Sequence, residues 1–286
     1  MKNILVATDF SDNAKYALEM AVKLAKLQKA TLHLFHSIHL ETYYANVPMN
    51  MMGDMTEELR SEAKKEMAKL EKFIPDTIKL KTYIGDSMVT GELKKYIEKE
   101  NIDIVIISAG GGGKLQYSLF GSTATAIVEN ISCLVLSVPP ACEYKNFSKM
   151  IYASDLAGDE FTPLVKFAEF AKLFDADLTV LHIKTESAEN GQGEKEITKL
   201  MSKVRLQTGY AKVHIQQKAY SDVLEGINSY IAETHPDVFA MVIHDRSFLE
   251  KLTHVSLTKK MVHLSKIPLL ILHKERASKR AGIIII

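Results

Sequence analysis

The chain has 286 residues, of which 47% are hydrophobic and 25% are charged, a composition typical of globular proteins that excludes disordered and fibrous classes. This length predicts roughly two domains, each large enough to bury its own core. Because 36 basic and 35 acidic side chains leave a formal net charge of only +1, we expect neither nucleic acid nor membrane partners.

The first half of the chain predicts strands and helices in alternation. It begins with a short apolar strand at 3–7, and apolar residues at helical spacing predict a helix at 13–28. The following elements are a strand at 31–37, a helix at 57–73, a strand at 78–84, a helix at 89–100, a strand at 102–108, a helix at 123–129 and a strand at 132–138. This alternation predicts right-handed crossovers and a parallel sheet covered by helices on both faces.

The second half repeats the first. Residues 2–37 match residues 148–183 without a gap at a shift of 146, with identities that include Asp9 with Asp155. A second register, at a shift of 134, aligns Asp103 with Asp237, so the middle loop of the second copy is twelve residues shorter. A repeat of this length indicates two copies of one structural unit.

The predicted fold class is therefore α/β, with two tandem open-sheet domains that each contain a parallel five-stranded sheet flanked by helices. We place the domains at 1–142 and 147–275, with a C-terminal tail at 276–286. Pairing through the last strands, 133–138 and 269–273, would make the two copies an intramolecular mimic of a symmetric dimer. A further dimer of whole chains stays open.

Location and redox state follow from the same sequence. No stretch reaches the roughly 18 uninterrupted apolar residues that a membrane span needs, and the N-terminus enters a strand without a signal peptide. We therefore expect a cytoplasmic protein. The two cysteines, Cys133 and Cys142, lack CxxC spacing and are expected to be reduced thiols, with Cys133 buried in a strand.

The most informative segment runs from Ser108 to Lys114 and contains four consecutive glycines. It follows an apolar strand, and Gly121 then precedes a predicted helix that begins near Ser122. Backbone without Cβ atoms approaches a ligand closely, and a helix N-terminus offers free N–H groups to an anion. The segment is either such a phosphate cradle or a flexible glycine turn.

Two common phosphate-binding motifs are excluded. A P-loop needs glycine at position 108 and Ser or Thr after the lysine, where this chain has Ser108 and Leu115. A dinucleotide fingerprint needs glycines in the first strand-to-helix turn, and residues 7–11 contain none. In an open parallel sheet, ligands still bind at the carboxyl ends of the strands, where Thr8, Asp9 and Ser37 also lie.

With these residues the chain resembles the universal stress protein family in its tandem form, over nearly its whole length to about residue 274. Nucleotide-binding members have an acidic residue after the first strand, here Asp9, and the pattern G-x2-G-x9-G-[S/T] after the fourth. This chain has Ser108-x2-Gly111-x9-Gly121-Ser122, with serine in place of the first glycine. The resemblance implies a Rossmann-like fold of the adenine nucleotide alpha hydrolase type.

The resemblance also implies ATP or another adenine nucleotide as ligand, with or without Mg²⁺. Asp9 would accept from the adenine amino group beside Thr8, Ser37 would frame the base through its backbone, and Ile107 and Ser108 would lie along the ribose. The phosphates would be held by the glycines and by the start of the next helix. The implied phosphate-binding residues are Gly111, Gly121, Ser122 and Thr123.

The second copy keeps the acid at Asp155 and lacks the cradle, because residues 244–249 read HDRSFL and no glycine occurs between Gly226 and Gly282. We expect no nucleotide there. His36 and His182 are expected to pack and bond to the backbone rather than catalyse. Four second-half histidines follow one another at spacings of nine or ten residues without a nearby cysteine, which argues against zinc; they are His244, His254, His263 and His273.

The predicted function is a stress-response sensor or regulator in which nucleotide binding orders residues 110–122 and changes a surface seen by an unidentified protein partner. No set of base, nucleophile and metal ligands is visible, so we expect at most slow ATP hydrolysis. One alternative is a nucleotide-independent interaction module whose pocket is disabled by Ser108. Another is an adenylate-forming or hydrolytic enzyme of the related α/β group.

Overall fold

The computed structural model describes residues 1–38, 40, 51–86, 89–109, 122–131, 133–142, 144, 146–155, 160–185, 192–243 and 266–273. The strands are β1 (Asn3–Ala7), β2 (Thr31–Ser37), β3 (Leu80–Gly85), β4 (Ile104–Ser108), β5 (Leu134–Val138), β6 (Lys149–Ala153), β7 (Asp177–Lys184), β8 (Val213–Ala219), β9 (Val238–Ile243) and β10 (Leu269–His273). The helices are α1 (Asp12–Gln28), α2 (Met52–Glu71), α3 (Val89–Glu100), α4 (Ser122–Asn130), α5 (Phe161–Lys172), α6 (Gln192–Thr208) and α7 (Val223–Thr234).

All ten strands form one sheet in the order β3-β2-β1-β4-β5-β10-β9-β6-β7-β8. Neighbouring strands are parallel within the first five and within the last five. The two halves join at β5 and β10, which are antiparallel with Leu269 opposite Ser137. The predicted α/β class and the pairing of the last strands are confirmed. Because the junction is antiparallel, the carboxyl ends of the two sets of strands lie on opposite edges of the sheet.

The strand registers repeat between the halves. In the first half β1 aligns Asn3 with Thr31 of β2, and in the second half β6 aligns Lys149 with Asp177 of β7. Lys149 and Asp177 each lie 146 residues after the equivalent residue of the first half. Ile4 likewise aligns with Ile104 in β4, and Met150 aligns with Val238 in β9, as the second shift of 134 requires. Both predicted registers are confirmed.

An aspartate holds the start of the first strand in each half. The carboxylate of Asp103 accepts a hydrogen bond from Asn3 N at 2.9 Å. The carboxylate of Asp237 accepts from Lys149 N at 2.8 Å and from both the backbone N (2.8 Å) and Oγ (2.9 Å) of Ser148. The repeated aspartates are therefore explained by backbone support at the amino ends of the strands.

Helices cover both faces of the sheet, as the strand pattern predicts. One face buries Ile4 and Leu34 against the α1 side chain Leu24, and the other buries Phe35 against Leu93 of α3. Successive strand residues point to opposite faces, so these near-continuous apolar strands supply two cores. None of the described helices is both long and apolar enough to cross a bilayer.

Several predicted bounds differ from the structure. Helix α2 begins at Met52, five residues before the predicted start at 57, and its first turn includes a hydrogen bond from Thr56 Oγ1 to Met52 O at 2.6 Å. The prediction that Cys133 lies within a strand is wrong, because β5 begins at Leu134. The Cys133 side chain is half-buried, and burial raises its thiol pKa to about 12. Both cysteines are free thiols, as expected.

Candidate functional site

The first strand end is organised by Thr8, which is 8% exposed. Its backbone N donates to Phe35 O at 2.9 Å, which continues the pairing of β1 with β2 beyond Ala7. Its hydroxyl Oγ1 accepts from Phe10 N at 3.0 Å. Thr8 therefore shapes the turn that follows β1.

Asp9 lies in this turn with its side chain exposed. Its Oδ1 accepts from Ser11 N at 3.0 Å, and the Ser11 hydroxyl caps α1 by accepting from Ala14 N at 3.3 Å. A carboxylate beside a helix N-terminus is stabilised by the helix dipole. The turn thus presents an acid at the carboxyl edge of the sheet.

His36 ties the ends of β1 and β2 together. Its Nδ1 donates to Thr8 O at 2.8 Å, and its ring lies 4.2 Å from the Phe10 ring, centroid to centroid. His182 repeats the bond in the second half, donating to Ser154 O at 3.0 Å. The prediction that both histidines bond to neighbouring backbone is confirmed.

Ser37 ends β2 and is 7% exposed. Its hydroxyl donates to Glu92 Oε2 at 3.5 Å. Glu92 belongs to the first turn of α3 and lies against Gly85, where a Cβ would meet the same oxygen at 1.6 Å. We name Ser37, Gly85 and Glu92 the acidic corner; sequence reasoning did not identify Glu92.

The end of β4 contains Ile107, which is buried, and Ser108, which is half-buried. They pair with Ser137 and Val138 of β5. The next residue, Ala109, donates from its backbone N to Val138 O at 2.7 Å. The pairing of β4 with β5 therefore continues to Ala109, the residue before the four glycines.

Helix α4 begins at Ser122, as the sequence predicts to within one residue, and Thr123 is exposed in its first turn. Such an N-terminus favours an anion. Gly111, Gly121 and the Ser122 side chain lie outside the described residues, so the phosphate cradle stays a prediction.

The structure therefore places most predicted site residues at the ends of adjacent strands. β2, β1 and β4 are consecutive in the sheet, and their carboxyl ends share one edge. Neighbouring strands lie about 4.8 Å apart, so the three ends span a distance that suits a small ligand. The residues at these ends are Thr8, Asp9, Ser37, Ile107 and Ser108.

The corresponding edge of the second half has a different first turn. Ser154 N donates to Leu181 O at 2.9 Å, as Thr8 N does to Phe35 O. The Ser154 hydroxyl, however, donates to the Glu160 carboxyl group, which is 3% exposed. Burial raises the Glu160 pKa to about 7; the hydrogen bond from Ser154 lowers this pKa, and the hydrogen bond with the Asp155 side chain raises it. Residues 244–249, on which the prediction of a missing cradle rests, lie outside the described residues.

A cavity of about 460 Å³ lies where the halves meet, on the edge that carries the first-half strand ends. The segment between β5 and β6 contributes Cys142 and Phe147 to its wall, and α7 contributes Ile231. The polar lining includes His235, Asp237 and Lys266. No sequence pattern indicated this cavity, because its walls come from segments that are far apart in the chain. Within the described ranges, no three His, Cys, Asp or Glu side chains group as metal ligands would.

Comparison with known proteins supports the family resemblance. A model of the Universal stress protein family matches residues 1–139. Universal stress protein A homolog 1 of Coxiella burnetii is 30% identical over 144 residues, which cover 48% of this chain and 95% of that protein. Universal stress protein MJ0531 of Methanocaldococcus jannaschii is 24% identical over 138 residues, covering 48% of this chain and 81% of that protein.

The whole fold also has a solved counterpart. The crystal structure of a universal stress protein from Archaeoglobus fulgidus aligns with a TM-score of 0.63 and 16% identity, covering 95% of this chain and 96% of the other. At this identity the likeness shows a shared fold over both halves. The sequence matches and the shared fold lead to the same conclusion. The chain belongs to the universal stress protein family.

Proposed function

We propose that the first half binds ATP or a related adenine nucleotide across the carboxyl ends of β2, β1 and β4, and that the protein acts as a sensor or regulator in stress response. The observation that carries the proposal is the placement of Thr8, Asp9, Ser37 and Ser108 on one edge. Nucleotide binding and stress response are known in some members of the family.

The charges along this edge favour one orientation of the ligand. The carboxylates of Asp9 and Glu92 lie toward β1 and β3, whereas the N-terminus of α4 follows β4. Carboxylates repel phosphate oxygens, and a helix N-terminus attracts them. The base therefore belongs at the ends of β1 and β2, where Asp9 accepts from the adenine amino group, and the phosphates belong beside α4.

The groups at these strand ends suit binding better than turnover. Thr8 Oγ1 and Asp9 Oδ1 each accept a hydrogen bond within the first turn, and Ser37 Oγ donates to Glu92. Efficient phosphoryl transfer needs a positioned nucleophile together with strong charge stabilisation. We infer a binding protein with at most slow hydrolysis, and Mg²⁺ would accompany the nucleotide phosphates. We place it in the cytoplasm.

Titration calorimetry of the full-length protein tests the proposal. ATP should give saturable heat with one site per chain and should raise the thermal unfolding temperature. Asp9→Ala should weaken ATP binding by about 10- to 100-fold, the loss of a charged hydrogen bond. The matched control is Asp155→Ala, which changes the equivalent residue of the second half and should leave ATP affinity unchanged.

Three results would contradict the proposal. Absence of heat and of a thermal shift at millimolar ATP would favour the nucleotide-independent interaction module. Equal losses in Asp9→Ala and Asp155→Ala would show that the two strand ends are not functionally different. ATP turnover abolished by Asp9→Ala would instead identify an enzyme.

A further inference from the structure

The acidic corner places a carboxylate beside the residue expected to frame the base. Glu92 is in the first turn of α3, whose positive dipole end favours an acid there. A Cβ at Gly85 would lie 1.6 Å from Glu92 Oε2 and 2.6 Å from Glu92 Cδ. Only glycine at the end of β3 permits this approach of the carboxylate.

Contacts on both sides define the position of the corner. Ser37 Oγ donates to Glu92 Oε2 at 3.5 Å, and Ile38 N donates to Gly85 O at 2.9 Å. The first bond joins the end of β2 to α3, and the second joins the carboxyl ends of β2 and β3. Arg60 of α2 forms its ion pair with Asp86, the residue after Gly85, so this arginine is engaged next to the corner.

The chemistry of a carboxylate determines which base can lie against it. A carboxylate accepts hydrogen bonds and donates none. The exocyclic amino group of adenine has two N–H donors, whereas hypoxanthine has a carbonyl oxygen at the same ring position. Asp9 in the turn after β1 and Glu92 beside the end of β2 are both acceptors of this kind, so the proposed arrangement has one carboxylate for each N–H.

We propose that Glu92 is a specificity-determining residue that accepts from the adenine amino group and rejects bases with an oxygen at that position. This inference rests on the proposed nucleotide binding at the same edge. Ser37 and Gly85 act as positioning residues, because they hold the carboxylate without contacting the ligand through their side chains.

Competitive binding of ATP and inosine triphosphate tests the proposal, since inosine has an oxygen in place of the amino group and a hydrogen on the adjacent ring nitrogen, and the two nucleotides are otherwise identical. The full-length wild-type protein should prefer ATP at least tenfold. Glu92→Gln removes the charge and offers an amide donor to the inosine oxygen, so the preference should fall by about tenfold or more. The matched control is Glu98→Gln, an exposed acid on the same helix, which should preserve the preference.

Gly85→Ala provides a second test that leaves the acid in the chain. The added methyl group should displace the Glu92 carboxylate and reduce the ATP preference as Glu92→Gln does, with thermal unfolding used to verify the fold. A merely structural role would weaken both nucleotides equally and leave their ratio unchanged. An unchanged ratio in Glu92→Gln with ATP binding intact overturns the inference alone, and failure of the wild-type protein to bind ATP overturns the proposed function with it.

Discussion

The two halves share their backbone hydrogen bonds and differ in the turn after the first strand. Thr8 and Ser154 make the same backbone bond to the neighbouring strand. Thr8 Oγ1 then accepts from Phe10 N, whereas the Ser154 hydroxyl donates to the buried Glu160. The residue equivalent to Glu160 in the first half is Ala14, at the shift of 146. The two copies therefore keep the same backbone pairing, and Glu160 in place of Ala14 changes the chemistry at the end of the first strand of the second half.

The antiparallel junction adds a spatial difference. Because β5 and β10 run in opposite directions, the Asp9 edge and the Asp155 edge face away from each other. The two halves cannot share one ligand across these edges. The second half is therefore free to lose binding without altering the first, and we infer that it supports the sheet rather than binding a nucleotide.

The largest expected effect concerns the pH dependence of the second half. Burial raises the pKa of Glu160 from its ordinary value of 4.5 to about 7, so the folded state favours the protonated acid. The contribution of Glu160 to stability should therefore be fully present below pH 4.5 and should be lost as pH rises through 7, a loss of up to about 3 kcal/mol. Besides Ser154, the group that influences the pKa of Glu160 is Asp155.

Denaturant unfolding between pH 4 and 8 measures this contribution. Glu160→Gln should reduce the loss of stability with rising pH and should be more stable than the wild type at pH 8. The control is Glu169→Gln, an exposed acid of α5, which should retain the wild-type slope. If the stability of Glu160→Gln depends on pH as strongly as that of the wild type, Glu160 is not the source of the predicted pH dependence.

Removal of Asp103 or Asp237 tests whether the two aspartates that support the strand starts contribute equally to stability. Asp103→Ala should lower the free energy of unfolding by about 2 kcal/mol, because it leaves strand amides without a charged acceptor. Asp237→Ala should cost more, since Asp237 accepts three hydrogen bonds from Ser148 and Lys149. Urea unfolding of both variants gives the comparison, and a smaller loss in Asp237→Ala would contradict it.

Ala14→Glu introduces the second-half acid into the first half. A carboxylate near Thr8 and Asp9 should repel the nucleotide and lower ATP affinity roughly tenfold, equivalent to about 1.4 kcal/mol. Calorimetry measures the loss. Lys15→Glu, which adds a negative side chain at an exposed position in the same helix, serves as the control and should have the smaller effect.

The smallest expected effect concerns His33, which should make the stability of the first half depend on pH. It is fully buried and bonded to Tyr96 Oη at 3.0 Å, and burial followed by the charge of Lys81 lowers its pKa below 6.5. Its stabilising contribution is therefore present above pH 6.5 and is lost as pH falls below that value. The equivalent residue is Thr179.

His33→Thr should weaken the dependence of stability on pH between 7 and 5, measured by thermal unfolding. His214→Gln, at an exposed histidine, should leave that dependence as in the wild type. An identical acid response in His33→Thr and the wild type would exclude His33 as its source.

Much of this architecture was predictable because the repeat and the apolar periodicity act locally along the chain. The matched registers of β1 with β2 and of β6 with β7 follow from the shift of 146. The turn at Thr8 and Asp9 was predictable because it closes an apolar strand. The Glu92 contact was not, because Ser37 and Glu92 are 55 residues apart and an acid in a first helical turn is ordinarily explained by the helix dipole.

By itself, the sequence determined the alternating elements, the two copies and the edge on which the first-half site residues lie. Hydrophobic periodicity and strand direction suffice for these features. Only the tertiary structure decided that Glu92 lies on Gly85, that Glu160 is buried against Ser154, and that the two edges face opposite directions. Each depends on how separately specified elements pack, and side-chain contacts between distant segments leave no periodic signal in the chain.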